Sequence, residues 1–512
     1  MPQKFITLNG KDLDIKTSVR IIEENLSIKI AASCTPKIKA SRKLIDKWLS
    51  QNEVVYGITT GFGEFKDVKI SFENIEKLQR NLILSHSAGV GKFIPDNIVR
   101  LMLLFRINSL IQGYSGVRIE LINFLVEFFN NGLIPMIPAQ GSVGSSGDLS
   151  PLAHMSLSFI GEGLTKCDGE ILEAATALRR CSMEPIVLKA KEGLALINGT
   201  QMMTAYMCWN INEAEKLSKL ADISGALSLD ALRGSTCPFD EKIQNVRPHK
   251  GQKDTARNLL SLLKGSEINT SHADCGKVQD AYSLRCMPQV HGAVKDTINY
   301  CKKIIEIEIN SVTDNPLIFP DEGVQIPGGN FHGEPIAFAA DFLSIAISEL
   351  GSISERRIAR LVDGSLSGLP RFLVLEGGLN SGLMIAQYTA AALASENKFL
   401  SHPASVDSIP TSANQEDHNS MGSIGARKGS DVINNVKKII AIEVFCACQG
   451  LDFLKPLKSG KGTQKAYELF RTQVEFIEED VNISNHINIA LQTVFNKEFL
   501  STIEKFSGRL IL

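Results

Sequence analysis

The chain lacks an excess of charge of either sign: 54 lysines and arginines stand against 56 aspartates and glutamates, a net charge of −2 over 512 residues. Without a basic field to neutralise a phosphate backbone, nucleic acid is excluded as a partner. No two of the ten cysteines have CxxC spacing, so neither a zinc ribbon nor a redox pair is signalled. Cys446 and Cys448, the closest two, diverge on a helix and read as core filling. His272, near Asp274 and Cys275, reads as a loop histidine, and no dedicated metal-ligand cluster stands out. No segment reaches the roughly 18 uninterrupted apolar residues of a membrane span, and the opening MPQKFITLNGKDLDI has no apolar signal core. A reducing cytoplasm is the expected compartment, with no membrane partner. Fixed-period repeats, low-complexity tracts and linkers rich in Pro, Gly or Ser are missing as well.

Familiar glycine-rich motifs fail on spacing. YGITTGFGEF (56–65) has neither GK[ST] nor GxGxxG, and SGKGTQK (459–465) puts Gly462 after its lysine where Ser or Thr is needed. GSSGD, Gly144 to Asp148, is one residue short of the Gly-x-Ser-x-Gly nucleophile elbow. Phosphate cradles and ordinary serine hydrolysis are set aside on these grounds.

What the chain does have is apolar residues, 44% against 21% charged, enough for a large buried core. FITLNGKDLDI alternates around Asn9-Gly10, a hairpin signal; little else reads as sheet. From Pro95 helical spacing dominates: Val99, Leu103, Ile107 and Leu110 recur until Gly113, and RIELINFLVEFFNNG repeats the pattern to Gly132. Long helical patterns follow at 289–310, 335–363, 381–400, 428–453 and 464–492. Their apolar stripes, such as Val432, Val436, Ile439, Ile440 and Val444, need other helices to cover them. The expected fold is mainly α, a long-helix bundle with a smaller N-terminal mixed region. Residues 1–200 would carry the GSSGD loop (142–149) and residues 201–512 the bundle and oligomer core, with a soft boundary.

GSSGD holds its most flexible residues between Pro135 and Pro138 on one side and Pro151 on the other. A flexible loop is the ordinary reading of such composition. The stiff frame opens a second one. A tight bend can bring the amide nitrogen of Gly147 onto the carbonyl carbon of Ser145, closing a five-membered ring, and the Ser146 hydroxyl can leave as water. Glycine permits the strained dihedrals this needs. The product is an electrophilic methylidene-imidazolone.

GSVGSSGDLSPLAH resembles the prosthetic-group motif of the aromatic amino acid ammonia-lyases. The likeness extends through YGITTGFG, SHSAGVG, LINGTQ, VQDAYSLRCMPQVHG, GGNFHGEP, SELGSISERR, SGLPRFL, MIAQYTAAALASENK and SHPASVDSIPTSANQEDHNSMG. It implies that Ser145, Ser146 and Gly147 cyclise autocatalytically to the methylidene-imidazolone MIO, with no external cofactor, and that the chain is a homotetramer with sites shared between subunits. Tyr56 is then the base for the β-proton, and Tyr282 hydrogen-bonds substrate or MIO. Arg285 pairs with the substrate carboxylate, Asn198 and Gln279 make polar contacts near the MIO oxygen, and Phe331 is an aromatic wall. Three positions depart from the common pattern: Ser145 replaces alanine but gives the ring only its backbone carbonyl, Thr59 stands where asparagine is common, and Asn419 where valine is usual.

Members that act on histidine resemble this chain in having Ser85-His86, where tyrosine lyases carry His-Leu and phenylalanine lyases Phe-Leu. Glu416 stands where those lyases have an uncharged residue. An imidazole both donates and accepts hydrogen bonds, whereas a phenyl ring would leave His86 and Glu416 unsatisfied at roughly 1–3 kcal/mol each. The implied small-molecule reaction is L-histidine to trans-urocanate and ammonia, the first step of histidine breakdown. Glu416 has two roles open to it, contact with the imidazole or relay of the amine's proton. Two other readings stay beside this one: a tyrosine or phenylalanine lyase or aminomutase of the same family, and a helical scaffold without catalysis.

Overall fold

The computed structural model describes residues 5–51, 53–55, 57–58, 60–61, 70–273, 276 and 278–512. The chain forms two compact units: Met1–Asn212 with Lys302–Asp341 and Pro403–Arg427, and Glu213–Cys301 with Phe342–His402 and Lys428–Leu512. Four of its five passages from one to the other lie inside long helices, Gln201–Ala231, Met287–Ile309, Glu334–Val362 and Gly422–Asp452, and the fifth, at His402–Pro403, follows the end of Met384–Leu400. As expected, the fold is mainly helical, and its strands are short.

In the first unit the Asp96–Leu110 helix is buried at every residue from Leu101 to Leu110, the mark of a core helix. It packs on Ile119–Asn130, whose apolar stripe Leu121, Ile122, Leu125, Phe128 and Phe129 is fully covered. Both end where the sequence predicts, before Gly113 and Gly132. The Asn9-Gly10 hairpin does not form. Phe5–Leu8 instead pairs in parallel with Ser27–Ile30. The Asn9 side chain accepts the Lys11 amide at 2.9 Å, closing a local turn. The Asp14 side chain then accepts the Thr17 amide at 2.7 Å and starts the Ile15–Glu23 helix. That N-cap fills the place of the second hairpin strand with a helix.

In the second unit the apolar face of the Gly422–Asp452 helix is buried, including Cys446 and Cys448. The pattern at 464–492 is not one helix but two, Lys461–Arg471 and Ile483–Val494. Tertiary hydrogen bonds hold the break open. Gln449 donates to the Ile477 carbonyl at 2.8 Å and accepts its amide at 3.2 Å, and Asp480 accepts the Ser381 and Gly382 amides at 2.8 and 2.7 Å. Such contacts outweigh helix propensity, which is worth only tenths of a kcal/mol per residue (up to ~0.7) for ordinary side chains. Glu334–Val362 is long and apolar enough to cross a membrane by length and composition, yet 61% of its most apolar window is buried in the fold, and Asp341 and Glu349 interrupt it.

A buried charge network organises this second unit. Fully buried Glu443 takes Arg357 through both oxygens, at 2.5 and 2.9 Å, and accepts the hydroxyls of Ser224, Ser228 and Ser354 at 2.9, 2.6 and 2.6 Å. Asp222, equally buried, accepts from His291, Lys295 and Asn258 at 2.8, 2.6 and 2.8 Å. Burial pushes both carboxyls up, but the Arg357 charge on Glu443 and the Lys295 charge on Asp222, with the hydrogen bonds, outweigh it and hold both below their ordinary values. Their stabilisation is therefore complete above the ordinary carboxylate range and is lost as acid protonates them below it. Glu443→Ala strands the buried Arg357 guanidinium, and unfolding in urea should show a loss of about 3–5 kcal/mol; an unchanged midpoint would mean that the pair does not hold the unit together.

Candidate active site

The candidate site is built in the first unit around Ser146. GSSGD lies between the Pro138–Gln140 strand and the Leu149–Phe159 helix. Gly147 has φ +74°, and a Cβ there would sit 2.0 Å from the Gly199 carbonyl oxygen, so the backbone approach is open to glycine alone. Gly147 and Gly199 form a parallel bridge. Within it the Gly199 amide donates to the Ser146 carbonyl at 3.3 Å, and the Asp148 amide to the Gly199 carbonyl at 2.7 Å.

Asp148 fastens this bend. It stands at the N-cap of Leu149–Phe159 but gives that helix no side-chain bond. Its Oδ2 instead accepts the amides of Met202 and Met203 at 2.9 and 3.0 Å, two of the orphan donors that open the Gln201–Ala231 helix. Its Oδ1 accepts the Ser423 hydroxyl at 2.7 Å, at the start of Gly422–Asp452. Complete burial pushes its carboxyl up to about 6, against the Ser423, Met203 and Met202 hydrogen bonds and the Arg106 charge that hold it down. The preceding residues are tied to the same helix start: the Ser420 hydroxyl donates to the Gly144 carbonyl at 3.1 Å and the Met421 amide to the Val143 carbonyl at 3.0 Å. Three helix N-termini thus gather at the loop, and their dipoles favour negative charge there.

The Ser146 side chain is half-buried and donates to Glu416 Oε1 at 3.2 Å. Glu416 is held in place in turn. Its Oε2 accepts the Thr411 hydroxyl at 2.8 Å, and the two residues exchange backbone hydrogen bonds at 2.9 and 3.3 Å. His86 closes the Ile75–His86 helix, half-buried, with the Ser85 hydroxyl 3.1 Å from its Nδ1. Burial lowers its pKa, outweighing a hydrogen bond at Leu82 and the charge of Glu416, which is near enough to act on it. This favours the neutral ring, which has one nitrogen to donate and one to accept. Ser145 is buried.

Asn198 precedes Gly199 and is buried; its Nδ2 donates to the Asn315 carbonyl at 3.0 Å, and its own carbonyl accepts Arg106 at 2.7 Å. Phe331, half-buried, lies just before the Glu334–Val362 helix. Gln279, Tyr282 and Arg285 belong to the second unit. Gln279 and Tyr282 are exposed there, and the Arg285 guanidinium lies 4.6 Å from the centre of the Tyr282 ring. The Arg285 Nε is buried with no hydrogen-bond partner among the described residues. Tyr56 and Thr59 lie outside the described residues.

The sequence reading gave no role to Asp148, Arg106, Gly199, Ser420 or Ser423. An aspartate just before a helical run signals an N-cap, but of its own helix. Nothing local points to amides 54 residues on or a hydroxyl 275 residues on.

Residues 13–472 match the family model for aromatic amino acid lyases. The histidine ammonia-lyase of Caldanaerobacter subterraneus subsp. tengcongensis is 51% identical over 491 residues, covering 96% of this chain and 96% of the relative. Among solved structures, the histidine ammonia-lyase of Trypanosoma cruzi superposes with a TM-score of 0.91 at 44% identity, over 98% of this chain and 96% of that one. A tyrosine aminomutase from Streptomyces globisporus gives 0.93 at 37% identity, over 99% and 100%. With the family model spanning most of the chain and a relative matched at half its residues, the chain belongs to the aromatic amino acid lyase family.

Proposed function

We propose that the chain removes ammonia from L-histidine to give trans-urocanate, the entry into histidine degradation. The observation that carries this reading is the Ser146–Glu416 contact in its fixed loop, with His86 near enough for the Glu416 charge to bear on it. Glu416 as acceptor and His86 as donor and acceptor suit an imidazole, and a phenyl ring between them would leave both unsatisfied. Likeness to a tyrosine aminomutase supports the second reading, in which ammonia is returned to the product; the polar pair disfavours it.

The tripeptide fits MIO. Gly147 lacks the Cβ that would strike Gly199, the Ser146 hydroxyl is free to leave, and Ser145 contributes only its carbonyl. Once formed, the ring supplies an electrophile, which no ordinary side chain offers. The remaining work falls to the chain's own side chains, with roles supported by resemblance. Tyr56 takes the β-proton, which requires a phenol pKa below the usual range. Arg285 holds the substrate carboxylate through its planar fork, a role in keeping with its unpartnered Nε. Tyr282 hydrogen-bonds the substrate, Asn198 and Gln279 face the oxygen where negative charge gathers, and Phe331 walls the pocket. The helix N-termini behind the loop stabilise the same charge. Glu416 either binds the imidazole or carries the amine's proton.

The assembly is a homotetramer with sites drawn from more than one subunit. Exposed apolar side chains of the second unit, Tyr300, Phe342 and Ile345, support burial against other copies. The working compartment is the cytoplasm, in keeping with the nine described cysteines, all free thiols.

Added L-histidine should produce urocanate, read by its ultraviolet absorbance, from a chain whose intact mass is two waters below its sequence mass. Ser146→Ala should fold yet lose nearly all turnover. An active chain of full unmodified mass would refute the role of the tripeptide, and no urocanate from an MIO-bearing chain would refute the substrate.

Selectivity rests on Ser85-His86 with Glu416. Exchanging Ser85-His86 for His-Leu removes one imidazole partner and leaves the Glu416 carboxylate facing a ring edge that cannot satisfy it. Histidine kcat/KM should fall by about fivefold to 150-fold, for a loss of roughly 1–3 kcal/mol, with little tyrosine activity gained. An unchanged preference for histidine would show that these residues do not read the side chain.

A further inference from the structure

Two loops of the first unit bring together a set of metal-ligating side chains that the proposed reaction does not use. His332 and Glu334 close the turn after Phe331, Glu334 being the first residue of the Glu334–Val362 helix. His418 follows Glu416 by two residues. One ligand atom from each of the three lies within 4.8 Å of the others. The imidazole rings of His332 and His418 stack, with centroids 5.7 Å apart and planes 6° from parallel.

Two details distinguish this set from a chance meeting of polar groups. The Glu334 Oε2 is buried and has no hydrogen-bond partner among the described residues, an acceptor withdrawn from water with nothing to accept. The His332 Nε2 lies 3.2 Å from the His418 carbonyl oxygen. A carbonyl only accepts, so Nε2 carries the proton and the lone pair of the neutral ring sits on Nδ1. A ligating histidine commonly has its other nitrogen fixed in this way by a carbonyl.

We propose that His332, Glu334 and His418 bind one divalent transition-metal ion, and that the ion fastens the turn bearing Phe331 to the segment bearing Glu416. Two imidazoles and a carboxylate suit zinc, cobalt or nickel rather than calcium or magnesium, which prefer all-oxygen shells. Ligand distances of about 2.0–2.2 Å draw tetrahedral donors to roughly 3.3–3.5 Å of one another. The exposed His418 side chain has the freedom to close that gap. Three protein ligands leave the fourth position to water. The ion takes up the orphaned Glu334 oxygen, and it joins two segments 84 residues apart in sequence, as 418 minus 334 gives. Binding does not depend on the proposed reaction; only the significance of holding Phe331 and Glu416 rests on it.

The test is cobalt binding to chelator-stripped full-length protein, followed by its visible absorbance and by calorimetry, with zinc as competitor. One ion per chain is expected. His332→Asn, Glu334→Gln and His418→Asn should each weaken binding at least tenfold, while His272→Asn, outside the set, should not. X-ray absorption of the cobalt-loaded wild type should show two imidazoles, a readout that does not depend on any variant folding. Hydrogen exchange in 329–334 and 411–420 should slow on loading. Absence of stoichiometric binding, binding indifferent to all three substitutions, a shell without imidazole, or unchanged exchange in both segments would each overturn the proposal. None of these readouts uses turnover, so failure here is separable from failure of the histidine reading.

Discussion

The site depends on one buried carboxylate. Asp148 ends the GSSGD bend, and each of its oxygens is committed: one to the amides that open the Gln201–Ala231 helix, the other to the Ser423 hydroxyl where Gly422–Asp452 begins. Burial disfavours a charge so placed, the hydrogen bonds of Ser423, Met203 and Met202 and the Arg106 charge favour it, and the carboxyl is left at about 6. It remains largely ionised at neutral pH. Through it, a loop of small residues acquires the stiffness of the helices it touches, which is what the proposed cyclisation requires of its surroundings.

The same arrangement accounts for the electrostatics. Helix N-termini cannot satisfy their first amides internally, so convergence of several on one loop creates a region that stabilises negative charge. Glu416 reaches the same loop through the Ser146 hydroxyl, and its charge bears on His86. Under the proposed function the two differ in use: the backbone amides favour developing anionic character, and the side chains are the groups proposed to meet the imidazole. Asymmetry of this kind orients a small polar substrate without a large binding surface.

Much of this was legible in sequence, but unevenly. The tight bend at Gly147 could be read because it is local to a few consecutive residues, and the core helices because Val99, Leu103, Ile107 and Leu110 keep helical spacing to a glycine stop. Glu416 was drawn to the same site only through resemblance, and its hydrogen bond with Ser146, 270 residues away, had no local signal at all. Asp148 escaped because its partners are distant backbone amides, which carry no residue signature. The lost hairpin and the broken 464–492 helix failed for a related reason. At Asn9-Gly10 a local turn fits a helix start as well as a hairpin, and at 472–482 Gln449 and Asp480 supply hydrogen bonds that no periodicity reveals.

The most direct measurement is the intact mass of Asp148→Ala, beside its circular dichroism and its urocanate formation. The account predicts a chain with native helical content that keeps most of the two waters the wild type loses and turns histidine over far more slowly. An Asp148→Ala chain that sheds both waters completely and works at the wild-type rate would contradict it, because the bend would then be set by something other than the buried carboxylate.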